Sequence, residues 1–299
     1  MTNDQRHIKG LGTALITPFD ASGKVDYKAL AQLLDTQLTG FVDYLVVLGT
    51  TGEAATLSTD EKREVRRFIV NYVNGRLPLV LGVGSNNTAA VCAELSANLG
   101  EIQDNYTAIL SVCPYYNKPN QEGLYQHFCK VAEASPVPVI LYNVPGRTGV
   151  NLLPETVMRI FNAHPDKIAG IKEASGNLAQ IKDLINRANS QCTIHNAQSP
   201  FLVISGDDGI ACKVMEAGGA GLISVASNAF PEDFWHIVHD KDAALQAKYE
   251  EMIKLLFAEG NPVGIKAVLA QKGIIQNYLR LPLVPASEKL QQQILCTTP

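Results

Sequence analysis

With 299 residues, 46% of them hydrophobic and 18% charged, the chain can fill one α/β barrel or two average domains. A formal net charge of -4, with no basic block or Lys/Arg stripe, argues against nucleic acid as a partner. No apolar run approaches the ~18 residues of a membrane span, and the opening MTNDQRHIKG lacks the cationic-then-apolar order of a secretory leader.

In chain order, the first candidate strand is GTALIT (12–17), followed by helical spacing at Leu30, Leu33, Leu34 and Leu38. YLVVLG (44–49) is the second strand. After it, STDEKREVRRFIVNYVNG carries a capping box at Ser58 and Glu61, an apolar face of Val65, Phe68, Ile69 and Tyr72, and an Asn74-Gly75 stop. LVLGVG (79–84), TAILSV (107–112) and PVILYN (138–143) are strands three to five, and Pro154 suits the first turn of another helix. IAGIK (168–172) is the sixth strand, and Ile181, Leu184, Ile185 and Ala188 mark the helix behind it. FLVISG (201–206) and AGLISV (220–225) complete the set. All are rich in β-branched residues and apolar on both faces, the pattern of buried parallel strands.

Eight strand–helix units at this spacing predict a (β/α)8 TIM barrel. A doubly wound sheet would need a glycine fingerprint after its first strand, and LITPFDASG has none. Residues 1–229 are expected to form the catalytic barrel, and 230–299 a helical extension packed on it. The segment NSQCTIHNAQSP (189–200), before strand seven, reads as a surface elaboration. Cys92, Cys113, Cys129, Cys192, Cys212 and Cys296 form no CxxC and indicate reduced thiols in a cytoplasm. His236 and His239 share a helix face, and no metal site is expected from them.

In such a barrel the chemistry belongs to the loops that follow the strands. The sixth strand ends on Lys172, which shares a face with Ile168 and Gly170. If that face points inward, burial disfavours the ammonium and favours the neutral, nucleophilic amine that imine formation with a ketone requires. Lys24, Lys118, Lys213 and Lys266 lie in turns or helices and are poorer candidates. Tyr142, at the end of strand five, can pass protons, and Tyr116 can extend the relay. The GTTGE turn offers the hydroxyls of Thr50 and Thr51, and backbone N–H groups suited to a carboxylate. Arg147 offers the planar fork that pairs with a carboxylate in two places. Each also has a plainer reading: a core tyrosine, a turn, a surface ion-pair partner. Their common placement after barrel strands favours the chemical one.

These segments, TALITPF, GTTGEAATLS, PYYNKPNQEGLYQHF, YNVPGRTG, GIKEASG, SGDD and LRLPLVP, span nearly the whole chain. They resemble the dihydrodipicolinate synthase family, within the Schiff-base aldolase superfamily that also holds N-acetylneuraminate lyase. The double threonine and the arginine of NVPGRTG favour the synthase side. The resemblance implies condensation of pyruvate with L-aspartate-4-semialdehyde on the way to diaminopimelate and lysine. Lys172 would form the imine, with Tyr142, Thr51 and Tyr116 as proton relay. Thr50 and Thr51 would hold the pyruvate carboxylate, Arg147 the semialdehyde carboxylate, and Gly206 and Ile223 would line the imine pocket. No cofactor is implied. A homotetramer built from tight dimers is, with the Tyr116 position lent across the tight interface. The rivals are another pyruvate-dependent aldolase, acting on a sialic or keto-deoxy sugar acid, and an idle pyruvate- or amino-acid-binding barrel.

One departure concerns regulation. Lysine-inhibited relatives carry histidines and a glutamate at positions that here correspond to Thr59, Lys62 and Ala90, while Asn86 and Tyr115 match. Without the carboxylate, and with Lys62 adding positive charge, feedback by L-lysine is expected to be weak.

Overall fold

Eight strands follow one another as β1 (Gly10–Ala14), β2 (Tyr44–Val47), β3 (Leu79–Gly82), β4 (Ala108–Val112), β5 (Val139–Asn143), β6 (Ile168–Glu173), β7 (Leu202–Ser205) and β8 (Gly221–Ser224). The computed structural model describes residues 8–195 and 200–297. In sheet order the strands run β1 to β8 and close into a barrel, the (β/α)8 architecture expected from the sequence. Each predicted strand is present, and six of the eight are buried at every position.

The chain packs as two compact units. One is built around Pro78–Ile223. In it the β4–β5–β6–β7 ladder is parallel, with Tyr142 opposite Lys172 and Lys172 opposite Ile204. The register shifts by one residue at Val139/Ile140 and is regular from there to the ends of the strands. Gly170 serves close strand approach: a Cβ there would lie 2.1 Å from the Leu202 carbonyl oxygen. Behind the strands, the helix Leu178–His195 buries Ile181, Leu184, Ile185 and Ala188, as the spacing predicted. That helix includes the first seven residues of the 189–200 segment, and residues 196–199 lie outside the described residues.

The other unit joins Gly10–Leu77 to the residues from Ser224 on. The helix Tyr27–Gln37 is N-capped by the Asp26 side chain and buries Leu30, Leu33 and Leu34. In Thr59–Val73 the Ser58/Glu61 capping box is present and Asn74 takes the left-handed C-cap conformation. Its buried face is Val65, Arg66, Ile69 and Val73. Phe68 and Tyr72 are only half-buried and pack with Tyr27 in an aromatic shelf, at 5.0 Å for Tyr27–Phe68 and 5.8 Å for Phe68–Tyr72. At the barrel strands, Gly12 faces Tyr44 across the ladder, and a Cβ on Gly12 would lie 2.2 Å from the Tyr44 ring. The C-terminal part is mostly helical, with Pro231–His239, Ala243–Lys248, Glu250–Phe257, Val263–Gln271 and Glu288–Cys296, but residues 272–287 between the last two form turns and irregular chain. His236 and His239 each bond a carboxylate, Asp240 and Asp43. Among the described residues no helix is long and apolar enough to cross a membrane.

Candidate active site

Lys172 lies at the penultimate position of β6 and is only 7% exposed. Its Nζ sits 4.5 Å from the centre of the Tyr142 ring, the residue directly opposite it on β5. Tyr142 is equally buried, and its carbonyl accepts the Cys113 N–H at 2.9 Å, which ties β5 to the segment after β4. Gly206, immediately after β7, makes the space for the lysine stem. A Cβ there would stand 2.8 Å from Lys172 Cε, 3.1 Å from Lys172 Cγ and 2.6 Å from the Ala174 Cβ. Ile223, on β8, is buried. A primary amine, a phenol and a glycine-made opening thus occur together within one unit.

Glu173, the next residue, occupies the opposite face of β6 and is completely buried. Its carboxylate has no cationic partner among the described residues and is held instead by neutral donors. Asn143 Nδ2 reaches both oxygens at 3.1 and 2.9 Å, Gln180 Nε2 donates at 3.0 Å and the Ser175 N–H at 2.9 Å. Asn151 completes the cluster by exchanging amide bonds with Gln180 and accepting from Asn143 at 2.7 Å. Asn143 Oδ1 in turn accepts the Leu152 N–H. A buried charge survives only when it is this fully hydrogen-bonded. Burial, reinforced by the Glu173 charge, pushes the Cys113 thiol well above its ordinary range. Sequence reasoning missed this network. Glu173 beside Lys172 was legible, but its partners come from three separate segments.

Tyr116 and Arg147 behave differently. Tyr116 is 88% exposed and has φ +74°, a left-handed conformation that costs a non-glycine residue energy. Arg147 lies in the short helix Pro145–Thr148, is exposed, and has no ion-pair partner among the described residues. The single chain therefore leaves both side chains available to something outside it.

Thr50 and Thr51 belong to the other unit, where they form a single 3₁₀ turn after β2. Thr50 is exposed and Thr51 buried. The turn is closed by the Gly52 N–H on the Gly49 carbonyl and the Glu53 N–H on that of Thr50, while Thr17 Oγ1 donates to the Gly52 carbonyl at 2.7 Å. Glu53 leaves the turn at φ +50° and is buried against Lys266, with Nζ–Oε1 at 2.5 Å. Lys266, fully buried, also donates to the Tyr278 carbonyl at 3.0 Å and lies 4.2 Å from the Phe19 ring centre. Burial pushes its amine down to about 8, against the pull of Glu53. This second buried lysine is thus bound in an ion pair. Arg280 adds its N–H to Glu53 Oε2, and its guanidinium to the Thr56 carbonyl and to Glu61. That contact holds Glu61 down to about 2. Asn261 Nδ2 donates to Thr51 Oγ1 at 2.9 Å. None of these C-terminal residues was connected with the GTTGE turn from sequence, because each lies about two hundred residues away in the chain.

Comparison with known proteins gives the site its context. The sequence model of the Dihydrodipicolinate synthetase family matches residues 7–297. The chain is 47% identical over 286 residues to a 4-hydroxy-tetrahydrodipicolinate synthase of Parabacteroides distasonis, covering 93% of this chain and 92% of the relative. It is also 47% identical over 291 residues to the enzyme of the same name from Phocaeicola vulgatus, covering 94% and 93%. Among solved structures, a chloride-inhibited dihydrodipicolinate synthase from Acinetobacter baumannii, crystallised with pyruvate, is similar at a TM-score of 0.88. It is 38% identical, with 96% of this chain and 97% of that one covered. The chain belongs to the dihydrodipicolinate synthetase family.

Proposed function

We propose that this protein is a 4-hydroxy-tetrahydrodipicolinate synthase, a lyase that condenses pyruvate with L-aspartate-4-semialdehyde through an imine on Lys172. The observation that carries the reading is the buried Lys172 amine, lying over Tyr142 in space that Gly206 leaves open. Relatives bearing the synthase name across almost the full chain, and a pyruvate complex of a similar protein, support it.

The neutral Lys172 Nζ adds to the pyruvate keto carbon to give a carbinolamine. Loss of water then forms the C=N bond. Removal of a methyl proton turns the imine into an enamine, whose terminal carbon attacks the semialdehyde aldehyde and forms the new C–C bond. The semialdehyde amine then adds to the imine carbon, and departure of Lys172 closes the ring and restores the free amine. The lysine acts as the electron sink, so the reading needs no cofactor.

Tyr142, Thr51 and Tyr116 move the protons of dehydration and bond formation. Thr50 and Thr51 hold the pyruvate carboxylate, Arg147 takes that of the semialdehyde, and Gly206 and Ile223 line the imine pocket. The exposure of Tyr116 and Arg147 supports a homotetramer of tight dimers in which Tyr116 serves the neighbouring subunit. The reading places residues 1–229 as the catalytic barrel, 230–299 as its helical extension, and the enzyme in the cytoplasm. The test is an assay of pyruvate plus L-aspartate-4-semialdehyde beside cleavage assays with N-acetylneuraminate and keto-deoxy sugar acids. Turnover only in the former supports the synthase, and turnover only in the latter assigns another aldolase.

A further inference from the structure

From the contact between Asn261 and Thr51 we infer that Asn261 is a positioning residue, which makes the Thr51 hydroxyl a hydrogen-bond donor toward the carboxylate of the keto-acid substrate. The inference rests on the role proposed for Thr51 above. A threonine hydroxyl carries one proton and donates it to one acceptor at a time. Thr51 is 3% exposed, and Asn261, 8% exposed, is its side-chain partner among the described residues. The amide nitrogen faces Thr51 Oγ1 at 2.9 Å and donates to it. With a lone pair of Oγ1 occupied from that side, the hydroxyl proton is free for an acceptor elsewhere, and a substrate carboxylate is an acceptor only. The backbone of Thr51 is fixed independently, through the turn bonds of Gly52 and Glu53 and the Thr17 contact, so the remaining freedom of this residue is the direction of its proton. Asn261 settles that direction. It stands at the entrance to the helix Val263–Gln271, whose Lys266 anchors Glu53 of the same turn. The C-terminal segment thus both fastens the turn and orients its buried hydroxyl.

The test compares Asn261→Leu and Asn261→Asp, alone and with Thr51→Val, by steady-state kinetics on the intact enzyme. Leucine removes the donor. Aspartate has the shape of asparagine but only accepts, so it draws the Thr51 proton away from the substrate and adds a like charge near its carboxylate. The expected result is a fall in kcat/KM for pyruvate of roughly tenfold for Asn261→Leu and more for Asn261→Asp. The KM for the semialdehyde should stay unchanged, a split that general loosening of the fold would not produce. In the Thr51→Val background, Asn261→Leu should cost nothing further. If Asn261→Leu does not fold, Asn261→Ser, too short to reach Thr51, takes its place. Wild-type pyruvate kinetics in both Asn261 variants, or an effect that adds in full to that of Thr51→Val, overturns the inference and leaves the role of Thr51 standing. Wild-type pyruvate kinetics in Thr51→Val overturns that role, and the inference with it.

Discussion

Lys172 and Tyr142 face each other across β6 and β5, with the lysine nitrogen 4.5 Å from the centre of the phenol ring. Both side chains are 7% exposed, so the amine and the hydroxyl share one sheltered space. This pairing calls for a test of the phenol alone. Tyr142→Phe keeps the ring against the lysine and removes the proton-transfer group, and kcat is expected to fall roughly 10²–10⁴-fold. Tyr116→Phe should also lower kcat. Its side chain is 88% exposed, so the unfolding free energy should stay within about 0.5 kcal/mol of wild type. Parallel kinetics and denaturant titrations check both variants, and an unchanged kcat removes that tyrosine from the mechanism.

Glu173 holds the ends of β5 and β6 together from the face opposite Lys172. Glu173→Gln preserves its shape but turns one acceptor into an NH₂ group facing donors from Asn143, Gln180 or Ser175. The variant is expected to lose roughly 1–3 kcal/mol, read as a lower urea midpoint at unchanged slope. A midpoint at the wild-type value would show that the network tolerates an amide there.

His127 offers a pH-dependent signature of folding. It is 4% exposed, its Nδ1 lies 2.9 Å from Thr88 Oγ1, and burial holds it down to about 4 instead of 6.5. Above 6.5 neither the folded nor the unfolded state protonates it. As pH falls from 6.5 to 4 only the unfolded chain takes up the proton, so stability is lost across that window, by on the order of 3 kcal/mol when complete. Glu61 contributes in a lower window, between 4.5 and about 2. Urea unfolding of wild type and His127→Gln at intervals from pH 7.5 to 4 should show the smaller decline in the variant. Parallel curves would remove His127 as the cause.

Feedback by L-lysine is expected to be weak, with half-inhibition above about a millimolar. Thr59 is the first residue of the helix Thr59–Val73 and Lys62 lies one turn in, while Ala90, exposed on Thr88–Ala97, supplies no carboxylate for a cationic effector. The condensation assay with added L-lysine checks this, and strong inhibition below a millimolar contradicts it.

Much of this was legible in the chain, because burial on both faces of a parallel strand writes itself as a continuous apolar run. The limits of that signal show at β1. GTALIT predicted strand to residue 17, whereas the ladder covers Gly10–Ala14. Leu15, Ile16 and Thr17 are nonetheless buried, and the Ile16 N–H donates to the Asn228 side chain instead of to a neighbouring strand. The Leu15 N–H still reaches the Val46 carbonyl of β2, and beyond it hydrophobicity reports burial and not pairing. The same holds on Thr59–Val73, where Phe68 and Tyr72 fit the apolar face by spacing but remain half-buried beside Tyr27, with the Tyr72 hydroxyl on Asp35. Lys172 and Tyr142 could be read because strand alternation fixes where a side chain points. Asn261 and the side-chain partners of Glu173 could not, since a polar side chain carries no periodic trace of a hydrogen bond formed with a distant segment.

The most direct measurement is borohydride reduction in the presence of pyruvate, with the adduct mapped by mass spectrometry and turnover assayed beside it. The account predicts a single reduced pyruvyl adduct on Lys172, absent from Lys172→Ala and Lys172→Arg, both of which should lose almost all condensation activity. An adduct on another lysine, or near wild-type turnover in either variant, would contradict it.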